Sequence, residues 1–281
     1  MARSPPKPKA TPITSDVFTP DMLAAMLSQV MNPRLSDAVD MAQEVIFDAW
    51  ECDDPKRRIA LAKKALKISP DCADGYLLLA QEAAPTPAAA LDLLTQAVAA
   101  GERALGPAAF AEDVGHFWGL IETRPYMRAR QHLALALGDA GRRDEAADHL
   151  TDMLRLNPAD NQGVRYGLMN WLLILGREAE LTALLRRFKA PHDPQWAFPA
   201  ALAAFRSKGD TAAARKALTT ALASNPHVAP LLTGRRKPPR TLPDFYSQGD
   251  RNEAVIYVAE GGADTWSAIP GAVAWLAAQV P

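Results

Sequence analysis

The sequence predicts an all-α fold, an α-α superhelix built from paired helices and closed by helical caps at both ends, and three observations predict it. Gly141, Gly176 and Gly209 each follow an apolar run, at spacings of 35 and 33 residues. A glycine suits the place where one helix must end in a left-handed residue so that the chain can turn back into the next. Pro158 and Pro226 each stand 17 residues after one of these glycines, where they stop the second helix of a pair. Small residues, notably Ala134, Ala146, Ala201, Ala214 and Ala221, fall where two helices approach closely, with Leu133, Leu150, Phe205 and Leu218 filling around them. The period of about 34 residues is tetratricopeptide-like, the spacing of a solenoid.

The elements follow in order. Residues 1–18, rich in Pro and Lys, read as a disordered tail. Residues 19–51 read as two helices, the first starting near Thr19-Pro20-Asp21 and the second after Ser36, separated by Asn32-Pro33. Residues 55–70 carry a second-helix signature that ends Ile68-Ser69-Pro70, and residues 71–101 hold another pair around the turn Pro85-Thr86-Pro87. An interruption at about 102–124, with Gly106-Pro107 and Gly115 as its punctuation, is read as an insertion in the array, which extends over 19–226. Residues 227–281 read as a loop followed by capping helices, one starting at Asp250-Arg251-Asn252-Glu253 and one at Pro270. Trp266 and Trp275 are read there as helix anchors.

Composition narrows the function. An apolar content of 48% supports a continuous core, and a net charge of −1 supplies no global field toward nucleic acid or an anionic membrane. Two cysteines, Cys52 and Cys72, without a CxxC, fit a reducing compartment. No secretory leader and no membrane-spanning run is expected, so the expected location is the cytoplasm. With no Walker loop, GxGxxG, GxSxG or HExxH, the sequence predicts no catalytic residues, no cofactor and no metal.

The chemically densest stretch is Gly115-His116-Phe117-Trp118-Gly119-Leu120-Ile121-Glu122-Thr123-Arg124-Pro125-Tyr126-Met127-Arg128-Ala129-Arg130. On the helix from Pro125, helical spacing puts Arg128, Gln131, His132 and Leu135 on one stripe, and Leu133, Ala134 and Leu137 on the core stripe. One repeat later Tyr166, Asn170 and Leu173 share a stripe. First helices of such arrays line a concave groove, so the expected partner-binding set is Arg124, Arg128, Arg130, Gln131, His132, Asn161, Gln162, Arg165, Tyr166 and Asn170. Arginine forks and an asparagine amide suit a protein or peptide partner, in particular an acidic segment or a C-terminal carboxylate. Against that stands the reading in which the same residues bridge neighbouring repeats, with a buried Glu122 to arginine pair pinning the insertion. Two further alternatives are a small-anion receptor or enzyme centred on His116, Glu122 and Arg124, and a subunit self-associating through the C-terminal cap. The basic run Gly234-Arg235-Arg236-Lys237-Pro238-Pro239-Arg240 reads as a solvated linker, with an acidic partner or nucleic acid as the alternative.

The string 115–130, the string Asn157-Pro158-Ala159-Asp160-Asn161-Gln162-Gly163-Val164-Arg165-Tyr166, and residues 225–240 and 65–73 resemble the suppression-of-tumorigenicity-seven family and its bacterial tetratricopeptide relatives. The likeness covers most of 38–280. It implies a helical-repeat protein; the expectation of a non-enzymatic scaffold or adaptor without a cofactor comes from the groove residues and the absent motifs. Some bacterial relatives append a cysteine-rich metal motif, and this chain lacks those cysteines.

Overall fold

The computed structural model describes residues 35–188 and 193–280. The expected tail and the helix expected near Thr19 lie outside them. Among the described residues there is no strand, and the chain is a superhelical array of helix hairpins, the all-α fold the glycine and proline punctuation predicts. No described helix is long and apolar enough to cross a membrane.

The array opens with α1 (Asp37–Trp50), where the Ser36 side chain accepts from Val39 N at 3.4 Å. Helix α2 (Pro55–Ile68) starts on Asp54, whose carboxylate accepts from Lys56 N at 3.0 Å, with Pro55 at a position where its missing N–H costs nothing. Next come α3 (Ala73–Glu82) and α4 (Pro87–Glu112), the latter capped by Thr86. Helical structure covers residues 102–112 of the region read as an insertion, broken at Gly106, which takes φ +68°, and restarted at Pro107 as an N-terminal proline would restart it. The chain is therefore kinked where the glycine-proline pair predicts an interruption. A 3-10 turn (Ile121–Thr123) leads into α5 (Arg124–Asp139), paired with α6 (Arg143–Leu156). Two more hairpins follow: α7 (Val164–Leu175) with α8 (Glu178–Arg187), then α9 (Pro194–Lys208) with α10 (Ala212–Ser224). Gly141, Gly176 and Gly209 sit at the three reversals with φ of +80°, +78° and +70°, so a side chain at any of them would strain the turn.

Helices α1 and α3, α3 and α5, and α7 and α9 touch across the intervening helix, stacking the first helices of successive hairpins into one wall. Ala134, Ala146, Ala201, Ala214 and Ala221 are fully buried, as their small size predicts. Between α5 and α7 the contact is made by a side chain: a Cβ on Gly138 would stand 2.4 Å from a ring carbon of Trp171, so the indole reaches across to a position only glycine leaves open. One continuous core runs from α3 to α14, and a smaller one of Ala42, Ile46, Ala49, Ala62, Ala65, Cys72 and their neighbours joins α1 to α3. Burial pushes the Cys72 thiol up to about 11, so this cysteine packs as a small apolar group rather than serving as a thiolate.

After α11 (Val228–Leu232) and a long loop, α12 (Arg251–Tyr257) begins on Asp250, whose carboxylate accepts from Glu253 N at 2.8 Å. A π turn (Val258–Gly262), α13 (Ala263–Ala268) and α14 (Ala272–Gln279) complete the chain. The two tryptophans anchor this cap. Trp266 is fully buried and donates to Tyr257 Oη at 3.1 Å, while Trp275 stacks on Phe205 at 4.4 Å and donates to Asp210 Oδ1 at 2.9 Å. The cap also folds back: the π turn and α13 contact α7, and α12 contacts α9.

Candidate functional site

Helix α5 carries half of the residues expected to bind a partner, and its geometry separates them. Arg128 donates from Nε to Asp74 Oδ1 at 3.1 Å and from a terminal nitrogen to Asp74 Oδ2, a forked pair that joins α5 to α3. Asp74 is fully buried, receives a further bond from Gln43 on α1 at 3.0 Å, and so ties three first helices together. The Trp50 ring lies 5.1 Å from the Arg128 guanidinium and covers it. His132 is held within 3.5 Å of the Gln81 amide on α3.

Arg130 follows two residues after Arg128, a rotation of about 200° about the helix axis. It faces the other side, where it pairs with Asp152 on α6 and donates to Tyr126 Oη at 2.6 Å and His149 Nδ1 at 3.2 Å. Arg124 donates to Trp118 O at 3.1 Å and sits over that indole. The three arginines therefore form no common anion site: each is spent on a different internal partner.

The segment 115–130 is a joint. Gly115 N and Phe117 N both donate to Leu156 O, at 3.0 and 3.2 Å, pinning the strand of chain to the end of α6. Phe117 is fully buried against Phe110 and Tyr126, with ring centroids at 5.2 and 6.1 Å. The Thr123 hydroxyl closes the turn on Phe117 O and on Leu120 O. His116 is exposed, and the cavity beside Glu122 holds about 20 Å³, room for roughly one water.

The turn into α7 is a second joint. Asp160, at φ +53°, is buried and accepts from Val164 N at 2.7 Å and Arg165 N at 3.2 Å, the capping role its position suggests. Arg165 pairs with that carboxylate at 2.9 Å and lies flat on Tyr166 and Phe188. Gln162 donates to Gln131 Oε1 at 2.8 Å and Met127 O at 3.3 Å, bridging the repeats, and Asn161 is exposed on the turn. Leu173, expected beside Tyr166 and Asn170, is instead fully buried.

Tyr166 and Asn170 face a cleft of about 520 Å³. Its floor is α7 with Trp171 and Ile174; one wall is Leu135, Asp139 and Arg143 from the α5–α6 hairpin, and the other is Gln195 with the π turn and α13. Gly261 takes φ +105° in that turn, which lets backbone approach the Asn170 amide: a Cβ there would be 3.6 Å from Nδ2. The Asn170 amide oxygen is buried and accepts no hydrogen bond from any described residue. Tyr166 Oη donates to Asp193 Oδ2 at 3.1 Å, and its ring meets Trp196 edge-on. Asp139, Glu260 and Asp264 against Arg143 leave the lining acidic. Sequence reasoning missed Arg143, Gln195, Glu260 and Asp264, and the one local signal for their convergence was the Gly261-Gly262 pair.

No group of His, Cys, Asp and Glu among the described residues could hold a metal ion. Two joint histidines respond to pH. Burial lowers both His132 and His149 below the usual 6.5, the neighbouring Arg128 and Arg130 adding to it. A histidine whose folded value is depressed stays neutral in the folded state while the unfolded chain takes up its proton, so stability falls as pH drops below 6.5. Urea midpoints are expected to decline over that window, and the decline to flatten in His132→Gln, His149→Gln protein.

Stacked helix hairpins with a cleft on one face define a helical-repeat protein. A family model described as ST7 protein matches residues 21–279, and the chain belongs to that family. It is 28% identical over 263 residues to Suppressor of tumorigenicity 7 protein-like of Bos taurus, a match covering 85% of this chain and 46% of that protein. With Suppressor of tumorigenicity 7 protein of Macaca fascicularis it shares 26% over 288 residues, covering 85% and 52%. The chain thus spans about half the length of the curated relatives it matches. These relatives are animal proteins, which corrects the expectation of bacterial ones.

Proposed function

We propose that the chain is a non-enzymatic scaffold that holds an extended peptide segment of a protein partner in the cleft over α7. The observation that carries this reading is the Asn170 amide, whose buried oxygen lacks a donor at the floor of a cleft of about 520 Å³. A buried acceptor left unpaired costs about 1–3 kcal/mol, and a peptide N–H laid along α7 would supply its donor. Trp171, Ile174 and the half-exposed Leu135 offer the apolar contact that gives affinity. Asp139, Glu260 and Asp264 favour a segment carrying Lys or Arg. This changes the expected partner chemistry from an acidic segment to a basic one, because the arginines that would have met an acid are paired within the fold.

The test is selection from a random peptide display library on the full chain. Enrichment of Lys- or Arg-containing sequences is expected, with affinity falling about tenfold in Asn170→Ala protein. Acidic consensus peptides, or peptides indifferent to Asn170→Ala and to Glu260→Lys, Asp264→Lys, would sink the reading.

A further inference from the structure

Residues 233–250, between α11 and α12, form a connection without regular structure that is longer than most in a compact domain. It is tied down at both ends. The Arg235 guanidinium donates to Ala277 O at 3.2 Å and Val280 O at 3.3 Å, capping α14. At the far end the buried Asn225 donates to Asp250 O at 2.8 Å and Glu253 Oε2 at 3.0 Å, Gly249 N donates to the same carboxylate at 2.7 Å, and Asn252 donates to Phe245 O at 3.0 Å.

Between these anchors the side chains point outward. Leu242, Phe245 and Tyr246 are 54%, 79% and 51% exposed, so three of the eight large exposed hydrophobic residues described fall within five positions of one loop. Arg236, Lys237 and Arg240 precede them, also exposed, and Asp244 is the single acid from 236 to 246. Leaving a phenylalanine four-fifths in water is unfavourable, and a fixed loop cannot tuck it away. A surface that rewards cations and exposed apolar tips together is the interface of a bilayer with anionic headgroups: basic side chains meet the lipid phosphates and carboxylates, aromatic rings settle at headgroup depth, and leucine reaches the acyl boundary. An RNA strand would reward the cations and the rings but leave Leu242 in water. The expectation that no membrane is involved rested on the lack of a spanning run and on a net charge of −1, and docking through a local basic loop needs neither a span nor a global field.

From this we infer that loop 233–250 docks the chain on an anionic lipid surface. It is independent of the cleft. Flotation of the full chain with phosphatidylcholine vesicles containing about one quarter phosphatidylserine tests it, alongside phosphatidylcholine alone. The chain is expected to float with the anionic vesicles at low salt and to be released by high salt. Arg236→Glu, Lys237→Glu, Arg240→Glu protein is expected to lose the interaction, and Phe245→Ser, Leu242→Ser protein to bind at least about fivefold more weakly. These positions are exposed, so unchanged thermal melts will show both variants folded. Failure of the wild type to float, flotation equal for wild type and variants, or equal binding to neutral vesicles would overturn the inference. So would tighter binding to single-stranded RNA than to the anionic vesicles, lost in the same variants.

Discussion

Replacing Arg128 with methionine is expected to cost the protein about 3 kcal/mol of stability, at the low end of the range for breaking a buried ion pair because water still reaches the arginine. The cost falls on the partner. Asp74 has 0% of its side chain exposed and Arg128 has 29%, so removing the arginine strands a carboxylate with only the Gln43 amide to solvate it. Methionine keeps the aliphatic stem against Trp50 and so isolates the charge from the packing. Urea unfolding of Arg128→Met, Asp74→Leu and the double variant forms a cycle. The double variant is expected to recover most of the loss, since two apolar groups in place of a buried pair leave nothing unsatisfied. An Arg128→Met protein as stable as the wild type would mean that the pair does not join α3 to α5.

Phe117→Ala is expected to lose about 3–5 kcal/mol, the range for truncating a buried phenylalanine. Phe117 is fully enclosed, and its ring is one corner of a triangle completed by Phe110 and Tyr126, themselves 5.1 Å apart edge to face. The residue is also held by its own backbone, through Phe117 N to Leu156 O and Thr123 to Phe117 O, so the chain cannot slide in to fill the hole. Trp118→Ala, one position on, should cost much less, because that ring is half-buried under Arg124. Denaturant melts of the two variants compare them directly. Similar losses would show that 115–123 is not built around Phe117.

The fold was legible where local backbone rules decide it. Glycines 141, 176 and 209 mark reversals because only a residue without Cβ takes positive φ cheaply, and the small residues mark close approach because nothing larger fits. Gly106-Pro107 marked a real break, since Gly106 leaves helical geometry at φ +68° and Pro107 opens a short further segment that runs to Glu112. At the site, helical phase placed Tyr166 and Asn170 on the cleft but also enlisted Arg128, whose partner Asp74 lies 54 positions earlier on another helix. No local pattern announces such a pair. The second wall of the cleft was equally hidden, because the π turn at Val258–Gly262 takes its place by packing against α7 rather than from its own propensities.

The central claim is that binding belongs to the cleft over α7 while the chemically dense segment 115–130 holds the repeats together. Hydrogen–deuterium exchange with and without a saturating library-selected basic peptide tests it directly. Added protection is expected at residues 166–174 and 257–264, with none at 115–130; protection confined to 115–130 would contradict it.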